Sequence, residues 1–120
     1  MSTTEPAITR DEAKAIVATK TAPKVTEESI KAKIESVVYR LITDPNCCGT
    51  LCIIRMRNGW VSTGFSAPAS TANYDQAVGE RYAYDNAFKP LWQLEGYLLR
   101  ERLFWRDHID RQASTGERED

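Results

Sequence analysis

The sequence holds a single histidine. Zinc sites and His-based dyads need several ligands or a positioned partner. His108 therefore reads as a surface residue near a helix C-terminus, where its cation complements the helix dipole. Cysteine is also scarce: Cys47, Cys48 and Cys52 are the only three. The odd count and the adjacent pair argue against a secreted disulfide framework, and the C-x-x-C spacing of common zinc knuckles is missing. They read as core or loop cysteines of a reducing compartment, and no metal or cofactor is expected. No run approaches the roughly 18 apolar residues of a membrane span, and "MSTTEPAITRDEAK" lacks the basic start and apolar stretch of a secretory signal. Neither charge sign dominates: Lys and Arg total 16 against 17 Asp and Glu. A general DNA- or RNA-binding surface, which carries a basic excess, is not expected. The six glycines are scattered and make no phosphate-cradling loop.

What is present suits one domain with a real core, since 42% of the 120 residues are hydrophobic. Residues 1–24 contain no aromatic and read as an arm. Within it Thr9-x-x-Glu12 fits a capping box, ahead of a short apolar stripe of Ala13, Ile16 and Val17. The compact domain is expected over 25–110. Thr26 can cap a short helix, with Val25 and Ile30 at the spacing of a hydrophobic staple. "ESVVYRLI" (35–42) turns to β-branched and aromatic residues and predicts a strand, and "TDPNCCG" predicts a loop.

"TLCIIRMRNGWVSTGF" predicts two strands joined by a two-residue type I′ turn at Asn58-Gly59. That register pairs Arg57 with Trp60 and Arg55 with Ser62 on one face. Met56, Val61, Ile54, Thr63, Cys52 and Phe65 then share the other face, toward the core. From Asn73 the period becomes helical. Asn73-x-x-Gln76 fits a capping box, and Tyr74, Val78, Tyr82, Phe88, Leu91, Leu94, Leu98 and Trp105 follow at helical spacing. Pro90 predicts a kink or break, giving one helix near 74–89 and a second near 90–109, with Leu94 in the core. The tail 111–120 is polar and expected to be disordered. The fold class expected is α+β: a small antiparallel sheet of about three strands, one face covered by the C-terminal helices.

The acids Glu95, Glu101, Asp107 and Asp110 alternate with arginines along one helix and read as solvated i,i+4 pairs rather than acid–base groups. No catalytic set is visible, so an enzyme is not expected. A binding set is. Arg55, Arg57 and Trp60 share a hairpin face; guanidinium forks suit phosphate and an indole suits base stacking. Arg81 lies two turns into the helix that Asn73 would cap, and a helix start offers free N–H groups to an anion. The linking stretch "GFSAPASTANYD" is small and polar, so Phe65, Ser66 and Asn73 join Arg55, Arg57, Trp60 and Arg81 as expected ligand-binding residues. The alternative is that the Arg55/Arg57/Trp60 face is covered by another subunit. The small sheet and the late aromatics predict a homo-oligomer.

"VTEESIKAKI", "RNGWVSTGFSA", "ANYDQAVGERYAYDNA" and "LWQLEGYLLRERL" together resemble the small tailed-phage proteins of the Gp49/gene 66 type over about 25–103. The chain departs from that pattern at Pro68-Ala69-Ser70-Thr71, where the family has a Cys-Val-Asp-Pro-like segment. The helix-plus-hairpin pattern is also similar to Thoeris anti-defence proteins, phage-encoded sponges that hold cyclic ADP-ribose isomers and, in some cases, cyclic oligonucleotides without cleaving them. The resemblance implies an oligomeric, non-enzymatic sponge for a small nucleotide-type ligand, acting in the host cell cytoplasm. An accessory protein working through protein–protein contact is the alternative.

Overall fold

The structure, a computed structural model, describes residues 5–115. Two short helices come first. Helix α1, Arg10–Ala18, begins at Thr9, whose hydroxyl accepts from the Glu12 amide while the Glu12 carboxylate accepts from the Thr9 amide. This is the expected capping box, but α1 buries no residue. Helix α2, Glu27–Lys31, is capped by Thr26, with Ser29 closing the reciprocal bond. Ile30 is fully buried and Val25 packs against the same core, as a staple requires.

Three antiparallel strands follow in the order β1 (Ile34–Asp44), β2 (Cys47–Met56), β3 (Val61–Ser66). The β1–β2 connection is tighter than the expected seven-residue loop. Thr43 pairs with Cys48 and Asp44 with Cys47, leaving Pro45 and Asn46 as the turn.

The β2–β3 register differs by one residue from the expected one. Arg55 pairs with Val61, Ile54 with Ser62 and Cys52 with Gly64. A type I′ turn needs positive φ at both central residues, and Gly59 alone has it, at 91°. Instead the Gly59 amide donates to the Met56 carbonyl at 2.9 Å and the Met56 amide to the Trp60 carbonyl at 2.8 Å. The connection is thus a three-residue loop with glycine in the left-handed position. One residue of slip turns every side chain of a strand over. Ser62 and Gly64 are buried, while Val61, Thr63 and Phe65 lie on the open outer face of the sheet. For β2 the expectation holds: Cys52, Ile54 and Met56 are buried.

The inner face is covered by a single helix, α3, running from Gln76 to Thr115. Two expectations are corrected here. The cap is Asp75, whose carboxylate accepts from the Val78 amide at 3.1 Å; Asn73 instead ends a 3-10 turn, Thr71–Asn73. And Pro90 lies inside the helix without ending it. Proline removes one amide donor near this point, while Ser62 of β3 donates to the Ala87 carbonyl at 2.6 Å and Ala83, Ala87, Phe88 and Leu91 are buried against the sheet. Packing on both sides of the proline outweighs the local penalty. Two C-terminal helices were expected; one is present. Residues 111–115 are its last turn, and 116–120 lie outside the described residues, as do 1–4 of the arm.

The core is Ile30, Cys52, Ile54, Met56, Ala83, Ala87, Phe88 and Leu91, with Ile34, Val37 and Tyr84 packed against it. It ends at Leu91. Leu94, expected inside, is 39% exposed. Among the described residues no helix is long and apolar enough to cross a membrane.

Candidate functional site

A groove of about 430 Å³ lies where the β2–β3 loop meets the middle of α3. Met56, Arg57, Asn58 and Trp60 form one wall, and Leu91, Leu94, Glu95, Tyr97 and Leu98 the other, with Lys33 at one side. The wall from the hairpin is held by backbone. The Arg57 amide donates to the Lys33 carbonyl at 2.9 Å, tying the loop to the start of β1. The Asn58 side chain accepts from the Trp60 amide at 3.0 Å, turning the chain at the rim. The other wall comes from helix spacing: Leu91, Leu94 and Leu98 share one stripe, and Tyr97 stands beside it.

The charges of the groove divide unequally. Lys33 forms an ion pair with Glu95, which is largely buried. The carboxylate is thereby engaged and its negative charge offset. Arg57 has no ion pair among the described residues and is exposed. The groove therefore offers one guanidinium, one indole and one phenol on an otherwise aliphatic floor. Such a surface suits a flat, partly anionic ligand or an apolar side-chain cluster. It contains no His, Cys, Ser or Thr nucleophile. Among the described residues no group of His, Cys, Asp and Glu is arranged to hold a metal ion.

The expected site residues do not all meet. Arg57 and Trp60 line the groove. Arg55 lies on the outer face opposite Val61, and Phe65 on that same face opposite Leu51. There the Phe65 ring covers Gly49, so closely that a side chain at 49 would meet it. Ser66 ends β3, paired with Thr50. Asn73 is exposed at the end of the 3-10 turn. Arg81 is bound to Asp85 on its own helix, with contacts of 2.5 and 3.3 Å, and its guanidinium sits 5.5 Å from the Tyr84 ring. The bond to Asp85 holds that guanidinium above its ordinary range, as a charged partner must.

Lys33, Glu95 and Tyr97 were not expected at a site. Lys33 and Glu95 are 62 residues apart, and nothing local marks their meeting. Tyr97 carried a signal: it follows Leu94 by three residues and stands next to Leu98, on the flank of a readable stripe. His108 stacks on Phe104, with ring centroids 6.1 Å apart, and is half-buried.

The groove lies within a recognisable segment of the chain. The model of the family described as "Phage protein (N4 Gp49/phage Sf6 gene 66) family" matches residues 25–103. The match begins at the staple residue Val25 and contains every groove residue. No curated protein and no solved structure matches the chain.

Proposed function

The chain belongs to this phage-protein family, and on that premise we propose that it is a phage-encoded, non-enzymatic sponge. It sequesters a nucleotide-type immune signal, a cyclic ADP-ribose isomer or a cyclic oligonucleotide, in the host cytoplasm and so blocks anti-phage defence. The observation that supports this reading is the placing of Arg57, Trp60 and Tyr97 around one groove of about 430 Å³. That volume falls in the range of small-molecule sites, roughly 300–1,000 Å³. A base stacked on an aromatic ring contributes about 1–3 kcal/mol, and a hydrogen bond to a charged group about 1.5–3 kcal/mol. With Glu95 engaged by Lys33, no unpaired carboxylate of the groove opposes a phosphate.

The test is calorimetry against cyclic ADP-ribose isomers and cyclic di- and trinucleotides, followed by heat release and mass spectrometry. The expected result is a ligand with Kd below about 10 µM, recovered chemically unchanged. If nothing in the panel binds, or if the ligand returns cleaved, the sponge reading fails.

A second reading, an accessory protein acting through protein–protein contact, is favoured by a different observation. The outer sheet face exposes Val38, Ile42, Val61 and Phe65 together, an apolar patch of the kind that marks interaction surfaces.

A further inference from the structure

Helix α3 lies over the inner face of the sheet, and the outer face is open. The sheet is three strands wide. Its outer strands are about 10 Å apart at roughly 4.8 Å per spacing, the diameter of one helix. The register sets what stands on the open side. Arg55 and Val61 share one row, Val38 stands in the next, Arg40 and Phe65 share the row after, and Ile42 follows. The four apolar residues among these are between 37% and 48% exposed. Arg40 and Arg55 are exposed too, and neither has an ion pair among the described residues. The rows from Arg55 to Ile42 hold no carboxylate; Glu35 lies at the irregular start of β1, and Asp44 lies one row beyond Ile42. The patch is apolar and carries charge of one sign.

The geometry points to an acidic amphipathic helix of a partner protein as the occupant of this face, its apolar stripe on Val38, Ile42, Val61 and Phe65 and its carboxylates on Arg40 and Arg55. This rests on the reading of the chain as a protein that works through protein–protein contact, and it names the kind of partner. Arg40 pairs with Leu51, four residues from Arg55 on β2. With one strand spacing across, the two arginines stand about 14 Å apart, two to three turns of a helix at roughly 5.4 Å per turn. Carboxylates at that separation, beside an apolar stripe, meet both guanidinium groups in charge-assisted hydrogen bonds. Other occupants match less of the face. An isologous contact between two copies sets a patch against itself. It would bring four arginines together with no carboxylate among them, which is repulsive. The chain's own α1 buries nothing, but it carries Arg10 and Lys14 beside Asp11 and Glu12 and so brings no net negative charge. A single-stranded nucleic acid stacks successive bases on rings, and here aliphatic residues outnumber the one ring, Phe65.

The test is fluorescence anisotropy of the full chain with three labelled probes. The first is a synthetic helical peptide of about 18 residues, or five turns, with a leucine stripe flanked by glutamates. The second is its twin with lysine at every glutamate, and the third is an oligouridylate of similar length. The acidic peptide should bind with Kd below about 100 µM. The lysine twin and the oligouridylate should bind at least about tenfold more weakly. In the double variant Arg40→Glu/Arg55→Glu the order of the two peptides should invert. Both positions are exposed, so the far-ultraviolet circular dichroism of the variant should match wild type. Two peptides that bind alike, or an order that the double variant leaves unchanged, overturn the inference while the protein-contact reading stands. An oligouridylate that binds more tightly than the acidic peptide overturns it as well. If neither peptide binds at about 1 mM, the inference and the protein-contact reading fall together.

Discussion

Gly64 is the residue on which the contact between sheet and helix turns. A methyl group there would run into the backbone of α3, at the Ala83 carbonyl and the Ala87 amide. Backbone cannot swing aside as a side chain can, so Gly64→Ala should destabilise by about 1–3 kcal/mol. That corresponds to a melting temperature lower by roughly 4–8 °C per kcal/mol. A variant that melts with the wild type would mean that α3 does not press on β3. Cys52 offers a test by pH. Burial holds its thiol above the ordinary range. Above the unfolded thiol's pKa the unfolded chain has released a proton that the folded chain still holds, which favours unfolding. Stability is therefore complete at neutral pH and falls as pH rises through the thiol range. Tyr39, raised chiefly by burial, adds to the fall at still higher pH. The urea midpoint should be lower at pH 9.5 than at pH 7.5, and Cys52→Ala should flatten the slope below the tyrosine range. An unchanged midpoint in the wild type would refute the buried thiol's part.

Among the elements, α3 sets the largest gap between local rules and the folded chain. Asp75→Ala removes the carboxylate that accepts from the Val78 amide and should cost about 1 kcal/mol. Asn73→Ala should cost little, since Asn73 is exposed before the helix begins. Chemical denaturation of both variants checks the order; the reverse order would place the cap at Asn73. The caps of α1 and α2 were legible because each is a bond between residues three apart. So was the alternation of β2, because Cys52, Ile54 and Met56 all face one way. The β3 register was not legible. Asn58-Gly59 is compatible with either loop length, and a bond from the Arg57 amide to the distant Lys33 carbonyl belongs to the loop that forms. The continuity of α3 was hidden for the same kind of reason. Pro90 argues locally for a break, and only the packing of Ala83, Ala87 and Leu91 on the sheet argues against it.

At the scale of the whole molecule, the arginines and aromatic rings of the expected binding set are spread over three places. Arg57 and Trp60 reach the groove, Arg55 and Phe65 the outer sheet face, and Arg81 the first part of α3. The one-residue slip of β3 explains part of this, because it removes the shared face on which Arg55 and Trp60 were to meet. The groove itself was only half legible: its hairpin wall carried a sequence signal, while Lys33 and Glu95 come together through the fold alone. This division makes the arginines a test of where a ligand sits. Arg57→Ala and Trp60→Ala should each weaken a nucleotide-type ligand by about tenfold or more, the loss of one charged hydrogen bond or one stacked base. Arg55→Ala should leave affinity within about twofold, because its side chain is on the far side of the sheet from α3. Arg81→Ala should do the same, since its guanidinium is already engaged by Asp85 and Tyr84. All four positions are exposed, so circular dichroism and melting should stay near wild type, and any loss can be read as binding. Calorimetry of the four variants with one ligand decides the matter. Equal losses in Arg57→Ala and Arg81→Ala would move the site off the groove and toward the start of α3. A loss in Arg55→Ala alone would move it to the outer face, where Phe65 is the ring available for stacking.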